Sequence, residues 1–225
     1  MLTSDRARQD YVKAIYQLGG SGPVAAAKLA RYLGVSRAAV TKLRRALEKD
    51  GLIKTAAARI NPIELTARGN SLAFRMIRRH RLIETFLHRT LELPIDVLHS
   101  QAEAIEHVIS DDVAARLERF LGNPLVDPHG HPIVKIADDF HPRPRKFLTD
   151  AAAGTHVRIE SIPDRDASVV RDLAAEHVLP GLTAQIIERD RRRITLRSAR
   201  RWHAVSIAAA ASIQISIQRQ RARAS

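Results

Sequence analysis

A helix, a sharp break and a second helix constrain the N-terminal part of this chain most. Ala26, Leu29, Ala30 and Leu33 fall on one helical face that stops at Gly34, and Ser36 then caps a run whose inner face is Val40, Leu43 and Leu47. A preceding helix spans about Ser4 to Leu18, with Ala7, Tyr11, Ala14, Ile15 and Leu18 at helical spacing, and "GGSGP" ends it. After "DG" at 50–51, "LIKTAAARINPIELT" has apolar ends around a basic, Pro-containing middle, which predicts a two-stranded hairpin. Three short helices followed by a hairpin, with a basic third helix, make the winged helix-turn-helix pattern. The solvent side of that third helix carries Ser36, Arg37, Ala38, Thr41, Lys42, Arg44 and Arg45, with Arg59 on the hairpin. Small residues at its start permit close approach to a groove floor, Thr41 and Lys42 reach base edges, and Arg44 and Arg45 suit phosphates. The plainer alternative is a three-helix packing unit with a solvated basic face.

Charge separates two tasks. The formal net charge is +13, but residues 1–60 hold 12 Lys/Arg against 4 Asp/Glu, residues 189–225 hold 10 against 1, and residues 61–188 hold 15 against 19. A basic first segment fits a polyanion such as double-stranded DNA, whereas the acidic middle does not. The chain has no cysteine, so any metal must be held by nitrogen and oxygen. There is no apolar run long enough to span a membrane and no charged-then-apolar leader, so the expected location is cytoplasmic.

From Thr66 the chain returns to helix, with one long segment over 66–90 and another over 95–121, whose apolar stripe is Leu98, Ala102, Ile105 and Ile109. Long helices after a DNA-binding module suit a homodimer interface, because one recognition helix reads too few bases. Residues 122–152 hold five prolines and predict a linker in which "DPHGHP" is a turn. "THVRIESI", "AQIIERD", "RITLRS" and "HAVSI" predict the strands of a small SH3-like barrel, interrupted by one helical turn around 167–177. The expected fold class is mainly α with a small β domain. Its parts are a winged helix-turn-helix (1–65), a helical dimerisation region (66–122), a linker (123–152), a barrel (153–218) and a basic tail (219–225).

The helix over 95–121 carries His99, Glu103, Glu106 and His107, the preceding helix carries His80 and Glu84, and Asp10 lies on the first. Facing helices with carboxylate and imidazole groups at i, i+3 and i, i+4 are how bundles build metal sites. Clustered carboxylates beside apolar Ala102 and Ile105 repel one another and call for a cation. A single pair such as His80 and Glu84 is more often a surface hydrogen bond.

"QDYVKAIYQL", "VSRAAVTKLRRALEKDGLI", "ELTARG", "RRHRLIETFL", "AIEHVISDDV" and "DPHGHPI" occur in that order. Together they resemble the diphtheria-toxin-repressor family of metal-dependent transcription regulators, strongly over residues 5–135 and loosely over the barrel. The nearest branch is the manganese-responsive one that keeps a C-terminal SH3-like domain. The resemblance implies one metal held by Asp10, Glu103, Glu106 and His107. It implies a second held by His80, Glu84 and His99, with Asp166 as the candidate ligand from the barrel. Iron-responsive members have Met and Cys where this chain has Asp10 and Glu103, so Mn²⁺ is favoured, with Fe²⁺ the alternative and Zn²⁺, Co²⁺ or Ni²⁺ able to substitute in vitro. Two-domain manganese regulators use a Glu where this chain has Lys13, which argues against their closely spaced metal pair. The implied role is repression of metal-uptake genes by a homodimer on an operator, with neither enzymatic activity nor a small-molecule substrate. Two rivals are a metallohydrolase, for which no H-E-x-x-H or placed nucleophile is present, and a DNA-binding protein that senses no metal.

Overall fold

The computed structural model describes residues 5–20, 22–54, 62–133, 146–199 and 201–218. These form two compact units, one comprising 5–80 and 105–115, the other 81–104, 116–133 and 146–218. Among the described residues no helix is long and apolar enough to cross a membrane.

The first unit is built on α1 (Asp5–Gly19), α2 (Ala26–Leu33), α3 (Arg37–Lys49) and the first half of α4 (Ala67–Leu91). Val12, Ile15, Leu29, Val40, Leu43 and Leu47 close its core, joined by Ile53, Ile63, Leu65 and Ala73. The break between α2 and α3 follows local chemistry. Gly34 adopts φ 65°, which lets its amide reach the last carbonyls of α2, and the Ser36 hydroxyl accepts from the Ala39 amide at 3.1 Å. Ser36→Ala therefore removes about 1 kcal/mol. Urea unfolding followed by tyrosine fluorescence measures the loss, because all three tyrosines, Tyr11, Tyr16 and Tyr32, lie in this unit.

The predicted hairpin is present at its base, where Ile53 pairs with Leu65, and Val24, from the segment before α2, pairs with Ile63. Its tip, including Arg59, lies outside the described residues. Thr66 caps α4, its Oγ1 accepting from the Gly69 amide at 3.1 Å. Gly69 must be glycine, since a Cβ there would stand 2.0 Å from the Leu52 carbonyl oxygen.

The helix expected over 95–121 is broken. A 3₁₀ turn (Ile95–Val97) leads into α5 (Leu98–Ile105), and α6 (Asp111–Phe120) starts afresh after a turn. The cause is local: the Ser110 hydroxyl accepts from the Val113 amide at 3.3 Å, and Asp111 and Asp112 place negative charge at the new N-terminus. His99, Glu103 and His107 therefore do not form one continuous helical ladder, and Glu106 and His107 lie in the turn.

The second unit is centred on a six-stranded antiparallel sheet in the order β1-β6-β2-β3-β4-β5. Its strands are β1 (Lys146–Phe147), β2 (His156–Ser161), β3 (Thr183–Arg189), β4 (Arg193–Arg197), β5 (Trp202–Ser206) and β6 (Gln214–Ile217). Alternation puts Val157, Ile159, Ala184, Ile186, Ile194, Leu196 and Val205 inside, with Val170 and Leu173 from α7 (Ala167–Ala175) over them. The single helical turn expected around 167–177 is this nine-residue helix. A short α8 (Ile207–Ala210) precedes β6. The predicted linker is structured in its first part: Val126 bridges Pro132, and Asp127, His129 and Ile133 are buried.

Candidate metal centre

In the first unit, α1 supplies Gln9, Asp10 and Lys13, α4 supplies His80, and the turn after α5 supplies Glu106 and His107. One ligand atom from each of Asp10, Glu106 and His107 lies within 4.8 Å of the others. His107 Nε2 is 3.0 Å from Asp10 Oδ1 and 3.6 Å from Glu106 Oε1, while its Nδ1 is 2.8 Å from the Gln9 amide oxygen. That oxygen accepts from Nδ1–H, which leaves Nε2 facing the two carboxylates. Glu106 is fully buried; its Oε2 lies 2.6 Å from His80 Nδ1, and the Lys13 ammonium donates to both of its oxygens at 2.8 and 2.9 Å.

The two carboxylates are tuned in opposite directions. Burial works against ionisation of Glu106, yet the His80 hydrogen bond and the Lys13 charge prevail and hold it below its ordinary range. Burial raises Asp10, and the nearby charges of His107 and Lys13 offset this only in part. The set supplies oxygen and imidazole nitrogen without sulfur, a hard donor set that fits a divalent ion of the Mn²⁺ or Fe²⁺ kind.

A second cluster lies in the second unit. Glu84 Oε1 is 3.6 Å from His129 Nδ1 and 3.9 Å from His99 Nδ1, and Glu84, Asp127 and His129 are all buried with ligand atoms within 4.8 Å. Asp164 adds a carboxylate 3.9 Å from His99 Nδ1 and 3.6 Å from His131 Nδ1. His129 Nε2 donates to the Ile95 carbonyl at 3.1 Å, which leaves Nδ1 facing Glu84, and neither this Nδ1 nor Asp127 Oδ2 has a hydrogen-bond partner. Burial depresses His129, but Glu84, Asp127 and Asp164 outweigh it and raise the imidazole above its usual value. Arg81 Nε lies 3.5 Å from Asp127 Oδ2, and His131 Nδ1 lies 3.4 Å from it. Buried carboxylate and imidazole atoms that converge within 4.8 Å fit a cation between them, and its binding would displace the proton His129 retains.

The sequence-derived residues are distributed as follows. Asp10, Glu106 and His107 meet, while half-exposed Glu103 turns to His99, at 3.3 Å. His80 faces Glu106 and stands one turn before Glu84 on α4. Asp166 is fully exposed and caps α7, its Oδ1 accepting from the Ser168 amide at 3.0 Å and the Ser168 hydroxyl at 2.6 Å. The barrel carboxylate that reaches His99 is Asp164. Asp127, His129 and Asp164 fall outside the expected ligand set; Asp127 and His129 lie in "DPHGHP", where Pro and Gly around His129 and His131 read as a turn and not as a ligand pair. On α3, Ser36, Arg37, Ala38, Thr41, Lys42 and Arg45 are exposed, whereas Arg44 pairs with Glu48 at 3.0 Å.

Two family models match the chain: the N-terminal DNA-binding domain of iron-dependent repressors over residues 2–59, and their metal-binding and dimerisation domain over 66–135. The iron-dependent repressor IdeR of Mycobacterium tuberculosis is 36% identical over 171 residues, covering 75% of this chain and 71% of that protein. The diphtheria toxin repressor of Corynebacterium diphtheriae is 29% identical over 191 residues, covering 80% and 84%. Among solved structures, a manganese-dependent transcriptional repressor in complex with manganese superposes with a TM-score of 0.83 at 29% identity, covering 94% of this chain and all of that one. The manganese regulator SloR gives 0.75 at 28% identity, covering 94% and 98%.

Proposed function

Because the chain belongs to the iron-dependent repressor family of metal-dependent, DNA-binding transcriptional repressors, we propose that it represses metal-homeostasis genes in response to Mn²⁺. The observation that carries this reading is the meeting of Asp10, on the helix that opens the DNA-binding domain, with Glu106 and His107 from the matched metal-binding domain. A bound divalent ion supplies the positive charge that draws these three donors into one ligand set. Asp10 and His107 then fix α1 against the turn after α5, and α1 packs on the core that carries α3. Exposed Arg37, Thr41, Lys42 and Arg45 face the DNA, where lysine and arginine meet phosphates and a helix start meets base edges. Glu84, His99, Asp127, His129 and Asp164 form the second ligand set.

Manganese is preferred over iron because neither set contains a soft sulfur ligand. A manganese-dependent repressor is among the similar structures, and an iron-dependent repressor is among the similar sequences. Homodimer formation is supported by exposed Leu91, Val108, Val113, Phe120, Leu125 and Val126, all within the matched dimerisation domain. Metal and DNA that favour the same ordered state strengthen each other, and a coupling of about 1–3 kcal/mol changes operator affinity roughly 5–150-fold.

The test selects bound duplexes from a random library with Mn²⁺ present, then measures their affinity with Mn²⁺, Fe²⁺, Zn²⁺ and chelator. Tight binding that collapses on chelation and is lost in Asp10→Ala, with the dimer intact, is the expected result. An Asp10→Ala protein that still responds to Mn²⁺ would overturn the assignment.

A further inference from the structure

Lys13 is 4% exposed, although lysine is almost never buried to that extent without a partner. Its partner is Glu106, at 2.8 and 2.9 Å, with His80 Nδ1 3.2 Å away. Taking an ammonium out of water is unfavourable, and a close carboxylate offsets it. Glu106 Oε2 is occupied by His80 and Lys13, whereas Oε1 lies between Lys13 and the His107 ring at 3.6 Å. Asp10 precedes Lys13 by three residues on α1, so both reach the same side of the helix. Glu106 therefore stands between a cation built into the chain and the place where Asp10 and His107 would hold another.

We propose that Lys13 is a tethered cation that competes with the regulatory metal ion for Glu106 and thereby sets the ion concentration at which the site fills. This rests on the metal reading of Asp10, Glu106 and His107. In the metal-free chain the ammonium pairs with Glu106 and ties the turn after α5 to α1. With an ion also present, two positive centres share one carboxylate, and their repulsion subtracts from the ion's affinity. A purely packing role has a different signature, because removing a support weakens both the fold and the ion site. Removing a competitor weakens the metal-free fold and tightens the ion site.

The experiment compares the full chain with Lys13→Met, Lys13→Gln and Lys13→Arg. Mn²⁺ affinity is measured by calorimetry and by chelator competition from the saturated protein, so a variant that folds only with metal still returns a value. Melting of the metal-free and loaded forms is followed in parallel. Lys13→Met and Lys13→Gln are expected to bind Mn²⁺ roughly tenfold or more tightly. Their metal-free melting temperature falls and their Mn²⁺-induced rise in melting temperature grows, while Lys13→Arg stays within about threefold of the parent. Equal or weaker affinity in both neutral variants overturns the proposal. Identical Mn²⁺ titrations of the parent and Asp10→Ala would overturn the metal reading as well. An ion lost in Asp10→Ala but not tightened in the Lys13 variants overturns the competition alone.

Discussion

Glu106→Ala abolishes Mn²⁺-dependent DNA binding and destabilises the first unit even when no metal is present. The second effect follows from burial. The carboxylate is fully buried between the Lys13 ammonium and the His80 imidazole, and deleting it leaves the ammonium desolvated without its counter-charge. Removing one partner of such a pair costs roughly 3–5 kcal/mol, much more than any exposed ion pair returns. Urea unfolding followed by tyrosine fluorescence reads the loss. The acid limb of stability changes with it. The folded environment holds the Glu106 carboxyl below its unfolded value of about 4.3, so its contribution is fully present above that pH and vanishes as pH falls through the folded value. Glu106→Ala lacks this part of the pH dependence. A variant with parental metal-free stability would mean that the Lys13–Glu106 contact carries no weight.

Gly130→Ala is the second large effect, and it falls on the other unit. Gly130 has φ +86°, and an added Cβ would stand 2.0 Å from the Glu160 carbonyl oxygen and 2.9 Å from Ser161 Cα. Both are backbone atoms of β2, so no side chain can swing aside. Left-handed strain and the clash together cost roughly 3 kcal/mol. The damage also has an address. The neighbouring His129 carbonyl accepts from the Ile162 amide at 2.9 Å, and the Asp127 carboxylate accepts from the His131 amide at 2.9 Å. Displacing the turn displaces two donors of the Glu84–Asp127–His129 cluster. Mn²⁺ calorimetry of Gly130→Ala is expected to lose that ion while Asp10, Glu106 and His107 keep theirs. Retention of both ions would show that the turn adapts and that its glycine is dispensable.

What the sequence disclosed followed the range over which its signals act. α2, Gly34, the Ser36 cap and α3 were legible because helical period and capping chemistry are local. The strand alternation of β2 to β5 was legible for the same reason. The break between α5 and α6 was written in "SDD", but the apolar stripe Leu98, Ala102, Ile105 and Ile109 runs up to it and hides it. β1 has two residues, too few to show a period, and β6 follows α8 without a clear turn signal. Asp166 was a natural choice in "PDRDAS", yet an aspartate two residues before serine at a helix start caps that helix, which leaves Asp164 for His99. The burial of Lys13 had no local signal at all. It depends on Glu106, 93 positions away.

The seam between the Asp127–Ile133 turn and β2 bears on how this architecture can be shortened or exchanged. Counted by sequence, the residues of the second cluster divide neatly, with Asp164 alone coming from the barrel segment. Counted by contact, the barrel also supplies the wall against which Gly130 lies and the amide that holds the His129 carbonyl. A chain that discarded the barrel would keep Asp127 and His129 in its text while losing the scaffold that aims them. The second cluster and the barrel are therefore one structural package: removing the barrel removes the wall and the amide that aim its ligands.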